Sequence, residues 1–189
     1  MIRADYKDKE RIIDILVSSF DDNKSVNFII KQDSKRLERI RNLMDYSFEV
    51  CYRFGDVLLT DDKSGCALIV LPDKKKTTLQ SILLDIKLIF SCMGLSNVKK
   101  AMDRESKIKS LHPKEPMYYL WFIGVDPSKQ NKGVGSSLIK DVIKQAELKN
   151  RSVYLETSTL RNIPWYEKYD FKIFNELDLG YKLFFMKKE

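Results

Sequence analysis

Between the apolar run "MYYLWFIGV" (117–125) and a helical pattern that starts at Leu138, the chain places "DPSKQNKGVGSS" (126–137). Lys132, Gly133, Gly135 and Ser136 therefore gather where a helix begins. The first N–H groups of a helix have no intrahelical acceptor, and the helix dipole makes that end positive. Glycine has no Cβ to hold a ligand away from those groups, and a neighbouring lysine adds charge. Such a loop suits a phosphate-class anion. On this stretch alone, a glycine-rich turn that only joins strand to helix stays open. Groups able to move protons stand elsewhere: Glu156 near the end of "SVYLET" (152–157), Tyr166 in "NIPWYEKY" (162–169), and His112, the one histidine, in "SLHPKEP" (110–116).

Spacing separates the phosphate-loop types. The P-loop requires Gly-x4-Gly-Lys-Ser/Thr, whereas here the lysine precedes the first glycine and Ser136 follows Gly135 directly. The dinucleotide fingerprint requires a third glycine where Leu138 stands, and sets its glycines directly after the strand rather than beyond "DPSKQNK" (126–132). Only Glu156, an acid at a strand end 21 residues after Gly135, favours that second type.

The elements that must position these groups follow from periodicity. "KERIIDILVSSF" (9–20) and "KRLERIRNLMDYSFEVCYRF" (35–54) carry apolar residues at helical spacing. "DVLLTDDKSGCALIV" (56–70) reads as a hairpin around "DDKSG". From Thr77 to Met93, Leu79, Ile82, Leu83, Ile86, Ile89, Phe90 and Met93 fall on one helical face, as in a packed helix or a lid. "MYYLWFIGV" suits a strand buried on both faces. Leu138, Ile139, Val142, Ile143 and Ala146 mark a helix ending near Asn150. "SVYLET" then reads as a strand, "NIPWYEKY" as a short helix, and "FKIFNELDLGYKLFFM" (171–186) as a closing pair of strands. The expected class is α/β (α+β): a mixed central sheet flanked by helices, with a helical insertion at 77–114 between the third and fourth strands.

Composition limits the function classes. A length of 189 residues with 43% hydrophobic and 32% charged residues fits one globular domain with a proper core. Cys51, Cys66 and Cys92 are odd in number, far apart and without metal-ligand spacing, so free thiols in a reducing compartment and no metal site are expected. The opening "MIRADYKDKERI" turns charged at once and lacks a leader pattern, which points to the cytoplasm. The net charge of +7 is scattered, with no recognition helix or RNA-binding signature, so neither nucleic acid nor membrane is expected as a partner.

Residues 125–135, "VDPSKQNKGVG", resemble motif A of the GNAT superfamily of N-acetyltransferases, whose Gln/Arg-x-x-Gly-x-Gly/Ala signature falls on Gln130, Gly133 and Gly135. The stretch "YLETSTLRNIPWYEKYDF" (154–171) is similar to motif B of that superfamily, including its Tyr-Glu-Lys-x-Gly-Phe ending. Together these pieces cover 117–187 and look nearest to the puromycin-acetyltransferase-like branch, in which Leu-Glu-Thr-Ser and Arg-Asn-x-Pro also occur. The resemblance implies the GNAT fold, residues 1–189 as a single acetyltransferase domain with a core at 117–187, and acetyl-CoA as the acetyl donor. It further implies that the pyrophosphate sits on the backbone N–H groups of Lys132, Gly133, Val134, Gly135 and Ser136, with Gln130, Asn131 and Tyr166 also among the cofactor-binding residues. The pantetheine arm would pair like an added strand with Phe122, Ile123 and Val125, and Asn162 would reach the same arm.

The implied reaction transfers an acetyl group to a primary amine of a small molecule by direct attack on the thioester. An alkylammonium has a pKa of about 10, so its proton must be taken before it can attack. At the motif position of Tyr166 the superfamily has a tyrosine that gives a proton to the departing thiolate. For the base, Glu156 acting through a water and a salt-bridged Glu156 both stay open, and a lone histidine in a polar loop reads as a surface residue. Two departures stand out: Met117 replaces the histidine that opens this strand in the puromycin-like branch, and Asp170 replaces the glycine before Phe171. The insertion would cover the acceptor side, with Phe90 and Met93 facing the cleft. A homodimer stays open. The alternatives are a non-catalytic acyl-CoA sensor and a dinucleotide-dependent oxidoreductase.

Overall fold

The computed structural model describes residues 1–94 and 97–189. Its seven strands are β1 (Ile2–Arg3), β2 (Gly55–Leu59), β3 (Gly65–Val70), β4 (Met117–Val125), β5 (Ser152–Thr157), β6 (Lys172–Asp178) and β7 (Lys182–Lys188). They form one sheet in the order β1-β2-β3-β4-β5-β7-β6. Every neighbouring pair is antiparallel except β4 and β5. The mixed sheet, the hairpin and the closing strand pair agree with the sequence reading; β1, two residues long, carries no readable period.

The helices are α1 (Lys9–Phe20), α2 (Lys24–Ile29), α3 (Arg36–Phe54), α4 (Leu79–Leu88, continued by a wider turn over Ile89–Met93), α5 (Val98–Leu111), α6 (Val134–Leu148) and α7 (Ile163–Glu167). One face of the sheet is covered by α1 and α3, where Ile12, Leu16, Leu43, Met44 and Phe48 close over Leu68 and Phe122. The other face is covered by α6, which packs the expected Leu138, Ile139, Val142 and Ala146 against Tyr118, Leu120 and Leu155. A smaller cluster joins Ile108 of α5 to Leu183 and Phe185 of β7. The short α2 is set by Asn23, whose side chain accepts from the Val26 N–H at 3.0 Å. No single helix among the described residues is long and apolar enough to cross a membrane.

The insertion is helical, as expected, but α4 is rotated relative to the expectation. Leu79, Leu83 and Phe90 are 82%, 64% and 65% exposed, while Leu84, Leu88 and Met93 pack against the α1/α3 core. The reason is that α4 carries two apolar stripes, and polar pins choose between them. Tyr46 donates to Asp85 Oδ1 at 2.7 Å, and Lys87 Nζ donates to Asp45 Oδ2 at 3.1 Å. Both carboxylate contacts turn the Leu84–Leu88 side toward α3. Phe90 therefore faces solvent, and Met93, partly buried, packs against the α1/α3 core, so the two do not share one face.

One irregularity shapes everything that follows. Opposite β3, Leu120 pairs with Ile69 and Phe122 with Leu68, so Trp121 is an extra residue in β4. An extra residue bends its strand and increases the local twist. The β4–β5 pairing consequently covers only Met117–Tyr119 against Ser152–Tyr154. Beyond Tyr119 the two strands separate, opening a gap in the middle of the sheet.

Candidate functional site

The edge of β4 that borders this gap offers free backbone. Asp126 N–H donates to the Ser64 carbonyl at 2.8 Å, which makes Gly65 and Val125 a pair that exchanges no backbone hydrogen bonds. Ile123, two residues earlier and opposite Ala67, is in the same phase. The N–H and C=O groups of Ile123 and Val125 therefore point away from β3, toward the gap. The Val125 carbonyl is partly taken by Ser19 Oγ at 3.1 Å and Gln130 Nε2 at 3.2 Å. Phe122 departs from the expected contact. Its phase turns its backbone to β3, and its ring is buried against Phe20 with centroids 5.0 Å apart.

The loop after β4 is held at its base. Arg11 of α1 donates to Asp126 Oδ2 at 2.6 Å and to the Lys63 carbonyl at 2.9 Å. That guanidinium, aided by Ser128, holds the Asp126 carboxyl down at about 2. Lys132 Nζ donates back to the Ser128 carbonyl at 3.1 Å. Asn131 and Gly133 both adopt left-handed backbone, with φ of 60° and 81°. This turn delivers the chain into α6 with Gly133 as its cap residue and no side-chain cap. The first N–H groups of α6, from Val134 to Ser136, are thus left without a side-chain acceptor. A Cβ on Gly133 would meet nothing within 4 Å, and one on Gly135 would meet Trp165 Cζ2 at 3.5 Å and Val125 Cγ2 at 3.8 Å. The space over the helix start is open, and Trp165 of α7 walls one side.

At the far side of the gap, beyond β5, Ser158 Oγ is buried without a hydrogen-bond partner among the described residues. Burying a hydroxyl unpaired is costly, so this atom suits a polar ligand in the gap. Asn162 is half-buried just before α7. Tyr166 of α7 is 5% exposed, set edge-on to Trp165 and Phe171, and its hydroxyl has no protein partner among the described residues. Burial pushes its phenol above the usual tyrosine value, so it holds its proton at neutral pH. Asp170 takes the left-handed backbone, φ 65°, at the position where the resembling motif has glycine.

The opposite face of the gap carries the remaining titratable groups. Val153 and Leu155 of β5 point into the α6 core, so Tyr154 and Glu156 point to the α5 side. There His112, which follows the last residue of α5, places Nε2 at 2.6 Å from Glu156 Oε1. Tyr119 of β4 donates to Glu156 Oε2, and its own proton is held tightly by burial and by the neighbouring carboxylate. His112 and Glu156 are 15% and 10% exposed. The expected surface histidine is instead a nearly buried partner of the expected acid. Nε2 is thus the ring nitrogen engaged by Glu156, and Nδ1 has no hydrogen-bond partner among the described residues. Glu156 is thereby turned away from the ribose-binding role that the dinucleotide alternative needed.

Tyr119 and Ser158, neither singled out from the sequence, lie beside Glu156 and just beyond β5, and His112, which read as a surface residue, is nearly buried. Tyr119 lies in a run of nine residues that reads as uniform core, and Ser158 is one hydroxyl among several. His112 and Glu156 are 44 residues apart with no shared motif.

Comparison with known proteins bears on this arrangement. Residues 99–173 match the acetyltransferase (GNAT) domain family. That span runs from α5 through the gap, the α6 loop and α7 into β6. An uncharacterised N-acetyltransferase of Schizosaccharomyces pombe is 25% identical over 89% of this chain and 72% of its own length. Among solved structures, a histone acetyltransferase HPA2 and related acetyltransferase from Corynebacterium glutamicum superposes with a TM-score of 0.69 at 21% identity, over 99% of this chain and 93% of its own. Arylalkylamine N-acetyltransferase 2 from Aedes aegypti gives 0.66 at 15%, over 99% and 96%. The fold is that of the GNAT acetyltransferases, and the family match supports an acetyltransferase domain.

Proposed function

We propose that this chain is an acetyl-CoA-dependent N-acetyltransferase that acts on a primary amine of a small molecule. The observation that carries this reading is the β4–β5 gap itself. It has free backbone at Ile123 and Val125, an uncapped helix start at its mouth and a buried carboxylate–histidine pair on one face. The names of the yeast relative and the mosquito structure, both N-acetyltransferases, favour an amine acceptor. The nearer likeness to the puromycin-acetyltransferase-like branch rests on Leu155–Ser158 and on Arg161, Asn162 and Pro164. We place the activity in one domain spanning residues 1–189 and, from three free and buried cysteines, in a reducing cytoplasm.

The residues fit the donor. The α6 start, from Val134 to Ser136, would hold the pyrophosphate, with Gly133 and Gly135 leaving room and Lys132 adding charge. Gln130 and Asn131 shape that turn. Ile123 and Val125 would pair with the amides of the pantetheine arm, and Asn162 and Ser158 would meet its polar groups from the other wall. Acetyl-CoA held in this way would supply the acetyl group as a thioester.

The chain's own groups then handle two protons on opposite faces of the sheet. On the α5 face, His112, oriented by Glu156 and Tyr119, takes the proton that the ammonium must lose. On the α7 face, Tyr166 keeps its proton until a thiolate forms beside it, and then donates. Direct attack fits the cysteines as well: burial pushes the Cys66 thiol up to about 12 and Cys92 to about 11, so neither supplies a thiolate nucleophile. The test is thiol release from acetyl-CoA across a panel of primary amines. Release that depends on both amine and protein supports the reading, whereas acetyl-CoA binding with no release for any amine leaves only a sensor.

A further inference from the structure

The roll of α4 turns an apolar stripe to solvent. Leu79, Ile82, Leu83 and Ile86 recur at helical spacing and are exposed, and Phe90 continues the row in the wider turn that follows. These are five of the fourteen large apolar side chains exposed among the described residues, so that surface is concentrated on one short helix. Scattered singly, such side chains are ordinary; gathered together, they mark a surface that meets something other than water. The helix is built to hold them there. Thr78 caps it, accepting from the Ser81 N–H at 3.1 Å, while Ser81 Oγ accepts from the Thr78 N–H at 2.8 Å. The Tyr46–Asp85 and Lys87–Asp45 contacts fix its roll on α3.

The charge beside the stripe selects what covers it. Lys74, Lys75 and Lys76 are exposed just before the Thr78 cap, and none pairs with a carboxylate among the described residues. Their acidic neighbour Asp73 is taken by Arg151 at 2.6 Å. From Lys74 to Phe90 the chain holds four lysines and a single carboxylate, Asp85, which already accepts from Tyr46. An apolar helix face flanked by unpaired lysines suits a helix lying in a lipid interface. Its apolar side chains enter the acyl boundary while the lysines meet anionic headgroups. With ten residues α4 rises roughly 15 Å, too short to span a bilayer and long enough to lie flat on one. A second copy of this chain would bring the same lysines and like charge to the contact, whereas an anionic bilayer complements both the stripe and its flank.

We infer that α4, with Lys74, Lys75 and Lys76, seats the protein on an anionic lipid bilayer, its stripe at the boundary between headgroups and acyl chains. The sequence reading saw scattered charge and expected no membrane partner; the outward roll of α4 is what brings an apolar face and unpaired lysines together. The seating goes beyond the acetyltransferase reading and does not rest on it, because binding is measured without turnover.

The experiment is co-sedimentation of the full chain with vesicles of phosphatidylcholine alone and of phosphatidylcholine with about one third phosphatidylserine. The expected result is binding to the anionic vesicles at least ~10-fold tighter than to the neutral ones, weakening as salt is raised. Lys75→Gln/Lys76→Gln should weaken that binding by ~10-fold or more, since each lysine near such a surface contributes ~5-fold. Lys140→Gln/Lys144→Gln removes the same charge from exposed positions on α6, over the opposite face of the sheet, and should change it by less than ~3-fold. Leu79→Ser/Leu83→Ser should weaken it by ~10-fold or more at an unchanged melting temperature. Phe90→Ser repeats that test outside the regular turns of α4, should the double variant melt early. Failure to bind anionic vesicles, equal losses in the two lysine pairs, or binding indifferent to all the apolar substitutions overturns the inference. So does a wild-type dimer in light scattering that Leu79→Ser/Leu83→Ser returns to monomer without any vesicle binding, which would give the stripe to a second copy.

Discussion

Gly133 and Gly180 form a matched pair for testing where the donor binds. Both adopt left-handed backbone, with φ of 81° and 83°, and an added Cβ would meet nothing within 4 Å at either. Alanine should therefore cost the same at both, about 1–2 kcal/mol of backbone strain. For a chain of this size about 1 kcal/mol moves the melting temperature by ~2–4 °C, so each unliganded variant should melt ~2–8 °C below wild type. The two differ only in location: Gly133 caps α6, whereas Gly180 lies in the turn between β6 and β7. Acetyl-CoA at a hundredfold excess over its dissociation constant should stabilise wild type by about 2.7 kcal/mol, or ~5–11 °C. Gly180→Ala should keep that shift. Gly133→Ala should lose most of it, because the added methyl intrudes on the helix-start N–H groups and disturbs the turn that aims them. Gly135→Val, at a helical position where the first added carbon makes ordinary contact with Trp165, should melt near wild type and also lose the shift. Differential scanning fluorimetry with and without acetyl-CoA reads all four proteins. An undiminished shift in Gly133→Ala and Gly135→Val would refute the assignment of the α6 start to the pyrophosphate.

Three further outcomes follow from the same geometry. Tyr166→Phe should leave acetyl-CoA binding intact while steady-state turnover falls by ~10²-fold; turnover within about threefold of wild type, with chemistry rate-limiting, would remove the hydroxyl from the reaction. Glu156→Gln keeps an acceptor for Tyr119 but removes the charge that orients His112, so kcat/KM should fall by ~10²-fold or more, and His112→Ala should add little to it. Equal and independent losses in the double variant would show that the two residues do not act as a unit. In α4, Leu84→Ala should cost roughly 1–3 kcal/mol in urea unfolding, whereas Leu83→Ser should stay within about 0.5 kcal/mol; the reverse order would mean that the helix is rotated the other way.

Much of the architecture could be read from the sequence because its elements are long and periodic. The α6 stripe from Leu138 to Ala146 and the 56–70 hairpin each repeat one pattern several times. The features that escaped are those with no period. The extra residue Trp121 is invisible in an unbroken apolar run, yet it opens the gap on which the site depends. In α4 both candidate faces are apolar, and the deciding contacts, Tyr46 with Asp85 and Lys87 with Asp45, join residues about forty positions apart. The site divides the same way. Its loop is local in sequence and was legible, with Phe122 the exception because backbone phase depends on pairing with β3. The His112–Glu156 contact is made by α5 returning over β5, and only tertiary structure brings the two together.

The most direct measurement is a single-turnover reaction with acetyl-CoA labelled in its acetyl group, enzyme in excess, and the fate of the label followed by mass spectrometry. The account predicts that the label passes to the amino group of an added primary amine, with one free thiol released per acetyl transferred and no acetylated protein at any time point. Acetyl-CoA that binds but stays intact with every amine, or label that first appears on the protein, would contradict it.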